Sequence, residues 1–226
     1  MGINKHNIKK STYHVLLEEL DIKEVLQPTQ IENLYIAPSS LDLTGAEIEL
    51  VGTLGREYRL KRALNKEREN FDFIFIDSPP SLGLLTINGL CAADSILVPV
   101  QCEYYALEGL SQLINTVKLV QDNLNPNLVI EGVFLTMADL RTNLSREVIQ
   151  EVRNYFKDKV YTTIIPRNIR LGEAPGYGKP VALYDKDSIG AHKYDELTRE
   201  ILGIPLETVR LDNSKGENVI DSKEKN

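Results

Sequence analysis

The feature that most constrains this chain is an alternation along its length. Short apolar runs rich in β-favouring residues cover residues 33–37, 71–76, 95–100, 129–136 and 160–165, and stretches with helical periodicity separate them. The helical patterns begin at Ser11 or Thr12, then cover 56–69, 83–92, 106–123, 144–156 and 191–202. Strands that are apolar on both faces need cover on both faces. The alternation therefore predicts an α/β fold, a mostly parallel sheet with helices on both sides. A chain of 226 residues fits a single domain, here 1–203. The polar segment 204–226 is expected to be a disordered tail.

Composition removes several function classes. The formal net charge of −7 argues against wholesale coating of DNA, because nonspecific affinity comes from Lys and Arg neutralising phosphates. No apolar run is long enough to span a bilayer, which predicts no membrane association. Cys91 and Cys102 have neither C-x-x-C spacing nor numbers for a disulfide framework, so reduced thiols and a cytoplasmic setting are expected. His6, His14 and His192 share no ligand spacing, and Tyr104-Tyr105 reads as packing or interface rather than catalysis.

The stretch that carries chemistry is Phe71-Asp72-Phe73-Ile74-Phe75-Ile76-Asp77-Ser78-Pro79-Pro80. Five of the six residues before Asp77 are apolar, which predicts a buried strand delivering a carboxylate at its C-terminal end. Ligands of open α/β sheets bind at that edge. An aspartate there can hold Mg2+ through water while the metal bridges nucleotide phosphates. The two prolines stop the strand and stiffen the loop that follows. An Asp that merely ends a buried strand is the plainer reading of the same pattern.

Three motifs in order, FIFIDSPPSLGLLTIN, PVQCEYYALEGLSQL and IPRNIRLGEAPGYGKP, resemble the ParA/Soj family of chromosome-partitioning ATPases, a P-loop NTPase-like group. GAEIEL and REYRLKRAL match as well, so the resemblance runs from about Tyr13 to Leu202. It implies that Asp77 is the Walker B aspartate and that Ser78 and Pro79 open the loop that senses the γ-phosphate. It further implies that Met137, Pro166, Arg167 and Asn168 lie near the adenine base, and that Arg141 and Arg170 contact DNA. ATP and Mg2+ are the implied cofactors. A homodimer around ATP, nonspecific DNA and a ParB-type centromere-binding protein are the implied partners, with nucleoid association following from DNA binding.

The family opens with a strand, a glycine-rich phosphate loop, a helix and an aspartate-bearing second strand. None of these is found here, an expected shortfall of about 50 residues. No G-x-x-x-x-G-K-S/T occurs anywhere, and the glycines from Gly172 to Gly178 have the wrong spacing. The chain alone is therefore expected not to hydrolyse ATP, since backbone N–H groups and lysines of that loop neutralise the phosphates. A further expectation is bare apolar surface and unpaired backbone where the missing strand would lie. Alternatives from other classes are a non-catalytic modulator pairing with a full-length homologue and a MinD-like cell-division ATPase. The latter would need a basic amphipathic C-terminal helix, and this tail carries Pro205, Gly216 and scattered acids. A nitrogenase-iron-protein-like carrier would need paired cluster cysteines, a pattern Cys91 and Cys102 do not match. Charge is uneven: residues 141–179 carry +4 and the remainder −11, which suits one phosphate-facing surface. Where family members often carry arginines, this chain has Asp185-Lys186-Asp187-Ser188-Ile189.

Overall fold

The computed structural model of the protein describes residues 2–3, 7–79 and 81–205. His6, Pro80 and nearly all of the expected tail lie outside them. The N-terminal third forms a small helical layer. Helix α1 (Thr12–Leu17) follows Ser11, whose backbone N–H donates to His14 Nδ1 at 3.2 Å. A short antiparallel pair, β1 (Gln27–Pro28) and β2 (Tyr35–Ile36), replaces the longer strand expected over 33–37. Val15, Ile22 and Val25 make a local core with Ala37, Ala63 and Leu64. Helix α2 (Leu43–Leu50) packs on α1 and was not foreseen from periodicity.

The helix expected over 56–69 is broken into pieces. Gly55, at φ +63°, turns the chain into a 3-10 turn (Arg56–Tyr58), α3 covers only Arg59–Asn65, and a second 3-10 turn takes Arg68–Asn70. Glu67 explains the break at the far end. Its buried carboxylate accepts from Lys23 Nζ at 2.9 Å and Asn70 Nδ2 at 2.8 Å, contacts that hold this part of the chain in turn geometry.

From Leu84 onward the expected helices and strands hold closely. Helix α4 (Leu84–Ala92) leads through two residues into strand β3 (Ser95–Gln101). Helix α5 (Ala106–Asn123), strand β4 (Val129–Ala138), helix α6 (Asn143–Phe156) and strand β5 (Val160–Pro166) follow. Two short helices, α7 (Ile169–Glu173) and α8 (Val181–Tyr184), precede α9 (Ile189–Ile201). The three strands pair in parallel in the order β3-β4-β5 and are flanked by helices. Val98, Val100, Val133 and Leu135 pack with Leu110 of α5 and with Val148, Ile149 and Val152 of α6. A second cluster joins Leu90 and Cys91 of α4 to Val117 and Val120 of α5 and to Leu128. Both cysteines are buried, and burial pushes each thiol up to about 11, so they act as small core residues. Gly132 leaves room for the Tyr161 ring on the neighbouring strand, since a Cβ there would sit 2.3 Å from Tyr161 Cε2. Across β5, the Glu200 carboxylate of α9 accepts from the backbone N–H groups of Thr162 (2.5 Å) and Thr163 (2.9 Å), fastening the last helix to the sheet.

One expectation fails. Residues 71–76 are not a buried strand: they run extended without ladder partners among the described residues. Phe73 is 64% and Phe75 80% exposed, and their rings stack on each other at 6.3 Å. The physical reason lies in pairing. A segment that is apolar on both faces becomes a central strand only with a neighbour to bond, and β3 pairs on one side with β4. No described strand lies along the other side of β3 or beside 71–76. Phe73 and Phe75 thus leave bare apolar surface on this segment.

Candidate functional site

The site residues fall on two separate pieces of backbone. Asp77, Ser78 and Pro79 end the extended segment and are all exposed. Ser78 Oγ lies 3.0 Å, and Ile76 Cγ2 3.4 Å, from the position a Cβ would take on Gly89, so the segment rests on the glycine of α4. The loop beyond it is held from the same helix. Buried Thr86 Oγ1 donates toward the carbonyl of Ser81 at 2.5 Å and lies 3.4 Å from that of Pro79. Two residues on, Asn88 Nδ2 donates to the carbonyls of Arg56 (2.8 Å) and Leu84 (2.9 Å), and its Oδ1 accepts from Leu60 N at 3.2 Å. Helix α4 thus ties the Asp77 loop to the α3 layer.

Sequence reasoning missed Thr86, Asn88 and Glu47. Glu47 of α2 lies against the start of α4: a Cβ on Gly83 would be 2.0 Å from its Oε1, an atom that is buried without a hydrogen-bond partner among the described residues. The GAEIEL match was the signal available for it.

The second piece is the C-terminal edge of the sheet. Cys102 N donates to Thr136 O at 3.0 Å and Arg167 N to Ala138 O at 3.1 Å, which draws the ends of β3, β4 and β5 together. Met137 takes φ +52°, a left-handed conformation unusual for a side-chain-bearing residue, at the end of β4. Pro166 registers with Ala138, Arg167 pairs with Glu103 beyond β3, and Asn168 Oδ1 caps α7 by accepting from Arg170 N at 2.9 Å. The structure therefore brings Met137, Pro166, Arg167 and Asn168 to one edge. No hydrogen bond or ion pair among the described residues joins Asp77 to that edge.

The two arginines expected to face DNA are each held by carboxylates. Arg141 grips Asp139 with two guanidinium bonds (Nε–Oδ1 2.8 Å, Nη2–Oδ2 2.7 Å) and its backbone N–H adds a third at 3.1 Å. These bonds hold the Asp139 carboxyl down at about 2. Arg170 pairs with Glu173 at 2.8 Å and Asp185 at 3.1 Å, so the acidic loop noted in the sequence neutralises it directly. Both arginines remain substantially exposed.

Fit to Mg2+ and nucleotide is partial. Asp77 is exposed and makes no ion pair among the described residues, which suits an aspartate reaching a metal through water. No group of three or more His, Cys, Asp or Glu among the described residues could hold a metal directly. Nothing in the 226 residues supplies a glycine-rich cradle for a triphosphate.

The parallel sheet and its flanking helices give an α/β fold of the kind found in P-loop NTPase-like proteins. A family model described as an AAA domain matches residues 1–130. The chain is 57% identical over 201 residues to the sporulation initiation inhibitor protein Soj of Bacillus subtilis, covering 89% of this chain and 79% of that protein. It is 52% identical to the chromosome partitioning protein ParA of Myxococcus xanthus, covering 89% of this chain and 71% of the relative. Among solved structures it is similar to a cobyrinic acid a,c-diamide synthase from Mycobacterium smegmatis with bound ATP analogue and magnesium. There the TM-score is 0.72, the identity 37%, and the coverage 88% of this chain and 75% of that one. The chain belongs to the ParA/Soj family of chromosome-partitioning ATPases.

Proposed function

We propose that these 226 residues carry the Walker B side, the base-side edge and the DNA-facing arginines of a partitioning ATPase, and that alone they do not turn ATP over. The observation that carries this reading is the Asp77 loop: an exposed carboxylate after an apolar segment, seated on Gly89 and tethered by Thr86, with no phosphate cradle in the chain. In a complete site Asp77 would orient Mg2+ through water, and the metal would supply charge neutralisation between phosphates. Met137 and Pro166–Asn168 would border the base. The wider activity, ATP-dependent dimerisation with nonspecific DNA binding and ParB-stimulated hydrolysis in the cytoplasm, is the reading the family supports.

The test is a phosphate-release assay on the purified chain with Mg2+ and ATP, beside the Asp77→Ala variant. Equal, background rates for both are expected. Mg2+-dependent release that disappears in Asp77→Ala would overturn the inactivity, because it would reveal genuine turnover.

A further inference from the structure

Arg170, the second of the arginines expected to face DNA, stands between two carboxylates of its own chain. Its Nη1 pairs with Glu173 Oε2 at 2.8 Å and its Nε with Asp185 Oδ2 at 3.1 Å. Glu173 lies one turn along α7 and also accepts from Tyr184 Oη at 3.1 Å. Asp185 comes from the turn between α8 and α9, and the fold braces that turn from both sides. Asp185 N donates to Val181 O at 2.8 Å, and Asp185 O accepts from Ser188 Oγ at 2.8 Å and from Ser188 N at 3.2 Å. Ser188 Oγ then caps α9 by accepting from Ala191 N at 3.2 Å. The second acid is therefore built into the junction of two helices rather than carried on a free side of the surface.

Charge decides what this arrangement does. One guanidinium between two carboxylates leaves a local charge of −1. The bond from Arg170, with that from Tyr184 behind it, holds the Glu173 carboxyl below its ordinary value, so the acid stays ionised at neutral pH. Two of the three guanidinium nitrogens face inward, and a phosphate approaching the third meets net negative charge well inside a Debye length of about 10 Å. Arg141 differs: it bonds Asp139 alone, so its local balance is zero, and its side chain is 90% exposed against 50% for Arg170. We propose that Glu173 and Asp185 form an autoinhibitory clamp that withholds Arg170 from DNA, and that opening the 185–188 turn releases one more phosphate contact. The inference rests on the reading of Arg170 as DNA-facing.

The test uses the full chain and a fluorescein-labelled, mixed-sequence DNA duplex of about twenty base pairs, read by fluorescence anisotropy from about 50 to 200 mM salt. The Glu173→Gln/Asp185→Asn variant should bind about threefold to tenfold more tightly than the unmodified chain, with a salt dependence steeper by about one ion. Glu32→Gln/Asp122→Asn removes the same charge from exposed acids elsewhere and should gain less than about twofold. Adding Arg170→Ala to the clamp variant should abolish both its gain in affinity and its added salt dependence. A clamp variant that binds no better than the charge-matched control overturns the proposal. If Arg170→Ala still weakens the unmodified chain in that case, Arg170 faces DNA without a clamp. A gain that survives Arg170→Ala also overturns the proposal, and there it is the DNA-facing reading of Arg170 that fails.

Discussion

Asn88 is the side chain through which α4 holds the Asp77 loop to the rest of the protein, and its removal should be expensive. It is 1% exposed and makes three hydrogen bonds, to Arg56 O, to Leu84 O and from Leu60 N. Asn88→Ala deletes all three. Leu84 O keeps its place within the helix, whereas Arg56 O and Leu60 N lose the partner shown for them. At roughly 1–3 kcal/mol for each of these two buried groups left unsatisfied, the expected loss is about 2–6 kcal/mol. Urea unfolding followed by circular dichroism should show the midpoint falling with the slope unchanged, since the same surface is exposed. Asn88→Asp gives a second signature. It retains an acceptor for Leu60 N but faces two carbonyls with a carboxylate, so its folded pKa should rise above the unfolded value. Such a group is least costly at low pH, where it is protonated in both states, and the variant should lose stability as pH climbs through the raised pKa. A loss under about 1 kcal/mol for Asn88→Ala, with no pH dependence for Asn88→Asp, would refute the tether.

Phe73→Ser and Phe75→Ser should each change the stability of this chain by less than about 1 kcal/mol and reduce its aggregation, measured by urea unfolding and light scattering. A cost of roughly 3–5 kcal/mol would mean the segment is buried after all. Arg141→Ala should raise the Asp139 carboxyl from about 2 toward ordinary aspartate values near 3.9, followed by NMR titration. Because the folded pKa is depressed, the stabilisation from this pair is present above the unfolded pKa and fades as pH falls toward 2. The variant should lack that fade. Glu200 is placed by two opposing effects: burial raises its pKa, and the Thr162 and Thr163 hydrogen bonds outweigh it, so the net shift is downward. Glu200→Ala should therefore destabilise the chain at neutral pH and converge with the unmodified chain in acid, checked by thermal melts across pH.

Much of the fold was legible from periodicity. Helices α4, α5, α6 and α9 and strands β3, β4 and β5 lie within a few residues of their expected bounds, because each buries a face against a neighbour present in the chain. Residues 71–76 were misread for the complementary reason. Composition states which side chains prefer burial, but a ladder exists only if a partner strand lies alongside, and that is a property of the assembled sheet. The same limit hid the tertiary catches. Glu67 breaking the α3 region, Asn88 bridging α3 and α4, and Asp185 neutralising Arg170 join residues far apart in sequence, and no local pattern marks them.

By itself the sequence determined the family, the order and most of the bounds of the main elements, and the identity of Asp77, Met137 and the Pro166–Asn168 turn as the residues to examine. Local periodicity and motif spacing are written along the chain. Tertiary structure alone decided that Met137 and Pro166–Asn168 share one edge, that Arg141 is held by Asp139, and that Arg170 stands between Glu173 and Asp185. Each of these follows from the distance between groups in space, which depends on how the layers pack.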